Sequence, residues 1–290
     1  MKKERREKKK KSVWRRLCIV ALSLALFVGA VLGVLQLGVV YSEKTWENWY
    51  PDYEKEDLTE ILKKQTLTDE DYELLYAQTG LTKIGVDGTL ARYGKSRILK
   101  IQDFYFEEHE MNVNHFNPFT YLEQIDDKAT FCAVEEGDII MSSTTYVSWF
   151  RYGHAALIVG EDGSTVESTS PGSESEINHI NAFARLANFV VLRPKVDKET
   201  KAQVAAYARE KLVGLPYRMT TGIFTKKYKD GKDPAYTQCA HIVWSAYKKF
   251  GVDLDSTGGL IVKPQDMYLS DQVEIVQIFG FHPENIWEKD

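Results

Sequence analysis

The stretch GHAALIVGEDGSTVES, residues 153–168, decides the fold class of this 290-residue chain. Residues 155–159 form an unbroken apolar run, and residues 165–168 form a second short run of the kind that favours β-strands. Between them, Glu161-Asp162-Gly163 is a turn signal. The two strands are therefore predicted to form a hairpin.

Further strand signals lie on both sides of this hairpin. Before it, Glu136-Gly137-Asp138 turns into the apolar run 139–141, and after it residues 189–192 are rich in branched and aromatic side chains. A last strand is predicted at residues 273–279. Strands joined by a hairpin, rather than by strict alternation with helices, indicate an α+β domain with an antiparallel sheet.

Two helices are predicted after Pro194. Asp197 can cap the first, and Val204, Ala208 and Leu212 share one of its faces before Gly214. The second begins near Cys239 and stops at Gly251, with an apolar face made of Ile242, Val243, Ala246, Tyr247 and Phe250.

Three residues on these elements form a candidate catalytic set. Cys239 stands in the first turn of the second helix, where free backbone amides and the helix dipole favour a thiolate. His154 begins the first hairpin strand, and Glu167 on the partner strand can hold its imidazole in one tautomer. The alternatives are a buried core cysteine or a disulfide between Cys239 and Cys132, and a histidine that serves only the core.

The order of short motifs resembles a known family, the circularly permuted, papain-like NlpC-type (YiiX-like) cysteine peptidases and amidases. The blocks that carry the resemblance cover residues 133–280 and are Gly137-Asp138-Ile139-Ile140, the run 153–159, Val166-Glu167-Ser168, Arg193-Pro194, Gly214-Leu215-Pro216-Tyr217 and residues 236–243 around Cys239. The resemblance implies a papain-like domain whose antiparallel sheet packs on the helix that carries the nucleophile. It also implies that Cys239 is the nucleophile, His154 the base and Glu167 the orienting acid, with Tyr217 helping to bind the oxyanion.

The chain departs from this family after the cysteine. Ala240 and His241 stand where serine and glutamate are frequent. His241 leaves the helix on a different face from Cys239, so it is interpreted as a pocket-lining or surface group and not as the base.

The expected activity is hydrolysis of an amide bond through an acyl-enzyme, without a metal or cofactor. Cell-wall peptide is the substrate class that the resemblance and an extracytoplasmic location favour. Acyl-chain or lipid amides and esters are handled on the same fold, so this alternative stays open. A catalytically silent surface-binding module is the second alternative.

The N-terminus predicts a membrane anchor. Residues 1–16 hold ten Lys/Arg and two Glu, and residues 17–40 contain no charged side chain, which is long enough to span a bilayer. The basic block predicts that residues 1–16 are a cytoplasmic tail and that the body lies outside. A cleaved secretory signal is the alternative, although its apolar region is usually shorter.

The remaining chain is acidic. The tail carries +8, and subtracting it from the overall −5 leaves −13 on the rest, which argues against a nucleic-acid partner. Residues 41–130 are predicted to form an extracytoplasmic helical stalk before a catalytic domain at 131–290, with one helix capped by Thr68 and ending at Gly80. His109 and His115 have no neighbours at a metal-ligand spacing, so they are interpreted as surface or packing residues.

Overall fold

The computed structural model describes residues 2–45, 48–229 and 231–286. The helices are α1 Lys2–Thr45, α2 Asp69–Thr79, α3 Lys83–Tyr93, α4 Lys95–Phe106, α5 Lys198–Lys211, α6 Cys239–Lys248 and α7 Pro264–Tyr268, with short 3-10 turns at Ile61–Lys63 and Ile180–Phe183. The strands are β1 Met111–Asn117, β2 Thr120–Ile125, β3 Ile139–Ser142, β4 Thr145–Val147, β5 Phe150–Arg151, β6 His154–Ile158, β7 Ser164–Glu167, β8 Glu176–His179, β9 Phe189–Pro194 and β10 Val273–Phe279.

The strands form two antiparallel sheets. The larger has the order β10-β9-β3-β6-β7-β8, and the smaller has the order β1-β2-β4-β5. The predicted hairpin is β6–β7, with Leu157 opposite Val166 and Ile158 opposite Thr165. The α+β class and the antiparallel sheet are therefore confirmed. The smaller sheet and the edge strand β8 lie outside the predicted elements.

Both faces of the larger sheet are buried, which explains its unbroken apolar strands. Alternate residues of a strand point to opposite faces, so Ile139 and Leu157 enter one core with α5 and α6, while Ile140 and Ile158 enter the other. The first core contains Cys239 and Val204, as the helix-face pattern predicts. The nucleophile candidate therefore lies on a helix packed against the sheet.

The segment expected to be a stalk instead covers the second face of this sheet. Buried residues of α2, α3 and α4, among them Leu75, Val86 and Ile98, share one core with strand residues. The contact is also polar, because Ile278 N donates to Gly80 O at 2.9 Å and Thr82 Oγ1 donates to Ile275 O at 2.6 Å. Helices with apolar stripes need a partner surface, and the sheet supplies it. The fold of the body thus begins well before residue 131.

Local signals placed the helix starts and the end of α2 correctly, whereas α5 ends at Lys211 and α6 at Lys248, before the predicted stops at Gly214 and Gly251. Thr68 and Asp71 form a reciprocal capping box at the start of α2, and Gly80 ends that helix in the left-handed conformation with φ 68°. Asp197 caps α5 by accepting from Thr200 N at 2.7 Å. Side chains that satisfy end-of-helix amides fix boundaries independently of tertiary contacts.

Two of the family-like blocks meet in one buried ion pair. Arg193 on β9 donates from Nε and Nη2 to the two oxygens of Asp138 at 2.9 and 2.8 Å. Asp138 is fully buried, and a buried carboxylate is costly unless it is paired in this way. The Gly137-Asp138 and Arg193-Pro194 motifs therefore hold β3 against β9.

Helix α1 contains the candidate membrane span. The section Ser12–Lys44 has a mean hydropathy of 2.7 over its most apolar window, and none of that window is buried in the protein. By length and composition this section is able to cross a bilayer as a single helix. A single-pass anchor at the N-terminal side of the body is therefore compatible with the structure.

Candidate active site

Cys239 is the first residue of α6, and Gln238 caps that helix. Gln238 Oε1 accepts from Ala240 N at 2.9 Å and lies 3.3 Å from Cys239 Sγ, while its Nε2 donates to Val262 O at 2.7 Å. The amides of the first helical turn have no partner within the helix, and the dipole places partial positive charge there. Cys239 is 2% exposed as a whole residue, so its side chain is buried at the base of the site.

His154 and Glu167 meet through the register of the hairpin. The pairs Leu157–Val166 and Ile158–Thr165 place Glu167 diagonally across from His154 on the same face of the sheet. His154 Nε2 and Glu167 Oε2 are 2.6 Å apart, and the carboxylate is 2% exposed. A short contact to a buried carboxylate holds one ring nitrogen and leaves Nδ1 for the sulfur side.

The electrostatics of His154 favour its protonated form. Burial lowers its pKa, but hydrogen bonds and negative charge from Cys239 and Glu167 outweigh burial and raise the pKa to about 10. The ring also stacks on Phe183, with centroids 5.4 Å apart and an interplanar angle of 17°. At neutral pH the imidazole is thus an imidazolium beside the sulfur, the arrangement that stabilises a thiolate.

Gly153 explains how the histidine reaches this position. Its φ is 77°, in the left-handed region that glycine adopts without steric cost. Together with Tyr152 it connects the small sheet to β6 in two residues, because β5 ends at Arg151 and β6 starts at His154. The GH pair of the sequence is therefore a turn followed by the first residue of a strand.

Tyr217 is brought to the site by two backbone contacts. Its N–H donates to Ser173 O at 2.9 Å, and its segment forms a parallel bridge with Thr237, two residues before Cys239. Burial raises the pKa of the Tyr217 hydroxyl, and negative charge at Cys239 adds to the increase. Tyr217 remains protonated near neutral pH and can donate a hydrogen bond beside the sulfur.

The surroundings of the sulfur include polar groups that sequence analysis missed. Burial and the charges of Cys239, Tyr217 and Asp266 raise the pKa of Tyr152. Eleven buried side-chain polar atoms have no hydrogen-bond partner among the residues that the structure describes, and four of them are Tyr152 Oη, Glu167 Oε1, Ser168 Oγ and Asp266 Oδ1. Buried polar atoms are ordinarily satisfied, so such atoms around a nucleophile can bind polar parts of a ligand. No local motif marks Tyr152 or Asp266, since folding alone brings them to the cysteine.

The other cysteines and histidines have different environments. Cys132 and Cys239 are both free, and they lie in the two separate cores. Burial raises the pKa of Cys132 to about 12, which leaves it a thiol. His241 is buried, not exposed, with Nδ1 3.0 Å from Thr237 Oγ1 and Nε2 2.8 Å from Lys227 O, and it lines a cavity of about 210 Å³.

His109 is a packing residue, as expected, but it has acidic neighbours in space that the sequence did not indicate. Ligand atoms of Glu107, His109 and Asp127 lie within 4.8 Å of one another, a spacing that can hold a metal ion. The β1–β2 hairpin returns the chain to this point, so the spacing in the sequence gave no sign of it. His109 also packs on Phe104 with centroids 4.2 Å apart, and His115 pairs with Glu43 at 2.9 Å.

Comparison with known proteins adds one relative. Over 129 residues the chain is 32% identical to a protein of Bacillus subtilis (strain 168) described as "Uncharacterized protein YycO". The match covers 44% of this chain and spans about half of that protein, 50% of its length. No family model matches the chain, and no solved structure matches it.

Phenylalanine at position 217 isolates the role of the tyrosine hydroxyl. We expect Tyr217→Phe to lower kcat for amide hydrolysis by roughly 10²-fold with little change in KM, the effect of removing one oxyanion donor. Steady-state kinetics on purified variants give both constants. Tyr207→Phe is the matched control, because Tyr207 donates to Asp233 at 2.8 Å on an exposed surface. If Tyr217→Phe and Tyr207→Phe have the same kcat and KM, the Tyr217 hydroxyl has no role in catalysis.

Proposed function

We propose that this protein is a membrane-anchored cysteine hydrolase that cleaves an amide bond through an acyl-enzyme at Cys239. The observation that carries the proposal is the 2.6 Å contact between Glu167 and His154, together with Cys239 at a helix N-terminus close enough to raise the pKa of that imidazole. A cysteine, a histidine and an orienting carboxylate in this order are the elements of a thiol nucleophile activated by a base.

The proposed mechanism starts from a thiolate at Cys239 beside protonated His154. The Cys239 thiolate attacks the carbonyl carbon, and the negative charge that develops on the carbonyl oxygen is stabilised by α6 amides and the Tyr217 hydroxyl. His154 then gives its proton to the leaving amine as the C–N bond breaks. Neutral His154 next takes a proton from water, whose oxygen attacks the thioester and regenerates the thiolate as the acid is released. Glu167 keeps the ring oriented and compensates its positive charge throughout.

The proposed substrate is an amide bond in cell-wall peptide. The orientation proposed for α1 supports this class, because a cytoplasmic N-terminus would leave the body on the outer side of the membrane. The resemblance of the motifs around residues 133–280 to NlpC-type peptidases and amidases supports it independently. The family-like blocks are also those that build the site, namely the hairpin with His154 and the segment with Tyr217.

The test is amine release from purified cell-wall fragments, measured by mass spectrometry with the full-length chain in lipid nanodiscs. New amino termini are expected with the wild type and not with Cys239→Ser. Acyl-chain amides and esters are assayed in parallel. If only the acyl-chain amides or esters are hydrolysed, the substrate is of that class and not cell-wall peptide. If the wild type and Cys239→Ser release product at the same rate from every substrate, the protein is a silent binding module.

The proposed topology predicts a protease result. The ten basic residues before the span orient it with the N-terminus inside, so protease added to intact cells should remove the body and leave the tail protected. Immunoblots against tags at both ends follow the two parts. A body that is digested only after lysis would reverse the orientation.

A further inference from the structure

Three aromatic side chains project from the smaller sheet beside α1. They are Phe116 in the last part of β1, Trp149 in the β4–β5 turn and Phe150 at the start of β5, with exposed fractions of 65, 54 and 48%. Large aromatic side chains are seldom left in water as a group. We propose that this aromatic surface, formed by Phe116, Trp149 and Phe150, seats in the interfacial zone of the bilayer around the C-terminal end of the α1 span.

The β4–β5 turn is fixed directly to the membrane helix. Ser148 Oγ donates to Leu35 O at 2.7 Å. Gly38 has no side chain at the contact, and a Cβ placed there would lie 2.2 Å from Cε3 of Trp149. Val39 is 1% exposed because it packs with Tyr121 and Tyr146 of the smaller sheet. The aromatic surface therefore has a defined level along α1.

That level coincides with the membrane boundary. The 24 uncharged residues 17–40 form a helix about 36 Å long, whereas the hydrocarbon layer is about 30 Å thick and needs about 20 residues. Counted from the basic residues that end at Arg16, the hydrocarbon layer ends near Leu35 to Leu37. The contacts at Leu35, Gly38 and Val39 lie within about 6 Å of this boundary along the helix axis. The β4–β5 turn is consequently held where the headgroups begin.

The chemistry of the turn fits that zone. Tryptophan is enriched at membrane interfaces because it combines an apolar body with a polar N–H, and phenylalanine adds apolar area. Ser148 has φ 56°, an unusual conformation for a residue with a side chain, and its N–H donates to Phe119 O at 2.6 Å. Arg151 behind the turn is paired with buried Glu123 at 3.2 Å. These contacts present Trp149 and Phe150 outward from a rigid base.

The placement has a consequence for the candidate site. Phe150 and His154 are four residues apart, so their Cα atoms lie at most about 14 Å apart even in an extended chain. The candidate site therefore lies near the bilayer surface, within reach of a membrane-held or membrane-proximal substrate. The proposed membrane contact of the aromatic surface is inferred from its contacts with α1, and it does not depend on the proposed catalytic activity.

Quenching of Trp149 fluorescence by brominated lipid tests whether the aromatic surface lies in the membrane interface. The full-length chain is placed at one copy per nanodisc, in phosphatidylcholine with bromine near the headgroup end of the acyl chains or in unbrominated lipid. Subtracting the emission of Trp149→Phe from that of the wild type isolates Trp149 among the six tryptophans. Most of the Trp149 emission is expected to be lost in the brominated lipid.

A tryptophan at the far end of the body is the matched control. Tyr93 is 39% exposed. Its neighbour Arg92 forms an ion pair at 3.1 Å with Glu161, which follows the C-terminal end of β6, whereas His154 lies at the N-terminal end of that strand. Tyr93 is therefore on the side of the body opposite to the candidate site. In Trp149→Phe/Tyr93→Trp, the added emission should be the same in both lipids. Trp149 emission that is also the same in both lipids would overturn the proposal. Stronger quenching by bromine deep in the acyl chains would overturn the interfacial position. Because each disc holds one copy, a second protein chain cannot be what covers the aromatic surface.

Discussion

Replacement of Cys239 by serine is expected to lower kcat for amide hydrolysis by roughly 10⁴-fold or more, as loss of a nucleophile does in enzymes with a catalytic triad. The physical reason is the acidity of the nucleophile. A thiol is acidic enough for a neighbouring imidazole to stabilise it as a thiolate, whereas a serine hydroxyl is far less acidic and stays protonated beside the same base. The substitution also removes the sulfur, which together with Glu167 raises the pKa of His154 against the effect of burial.

Cys132→Ala is the matched control for that loss. Cys132 is 2% exposed in the core on the other face of the sheet, and burial raises its pKa to about 12. The control should retain its kcat within about threefold, as expected for a site remote from the chemistry. Thermal melts of both variants separate chemistry from folding. A Cys239→Ser variant as active as Cys132→Ala would exclude Cys239 as the nucleophile.

Glu167→Gln should lower kcat by about 10²- to 10⁴-fold and leave KM nearly unchanged. Glutamine keeps the shape of the side chain but removes the charge that lies 2.6 Å from His154 Nε2. The carboxylate supports the imidazolium in the transition state and does not need to contact the substrate. The double variant Glu167→Gln/His154→Ala should have nearly the same kcat as His154→Ala alone, because the two residues act together.

The same variant predicts a shift in the pH profile. His154 must be protonated to donate to the leaving amine, so wild-type kcat/KM should fall as pH rises through about 10. Removing the negative charge of Glu167 lowers the pKa of His154, which moves this fall to lower pH. Glu161→Gln, at the exposed turn of the same hairpin, should leave the profile in place. A descending limb that stays unmoved in Glu167→Gln would make the carboxylate a structural residue only.

The site was predictable from sequence where local geometry determined it. The short turn between residues 160 and 164 sets the register of β6 and β7, and the two-residue period of strands then puts Glu167 on the face of His154. Capping residues likewise indicated where α2 and α5 begin. These predictions needed contacts between residues close together in the chain.

Features built by distant segments were not predictable in this way. The packing of α2–α4 on the sheet joins residues such as Thr82 and Ile275, and only the folded chain brings them together. Strand β8 was missed because its residues are mostly exposed and polar, as is usual at a sheet edge. The approach of Cys239 to His154 was inferred from the motif resemblance, since nothing in the spacing of the two residues requires it.

The most direct test of the proposed thiolate–imidazolium pair is the rate of iodoacetamide alkylation at each cysteine at pH 7, followed by peptide mass spectrometry on the full-length chain. Cys239 should be alkylated much faster than Cys132, and His154→Ala should slow the reaction at Cys239 while leaving Cys132 unchanged. Equal rates at the two cysteines, or a Cys239 rate that His154→Ala does not alter, would contradict the account.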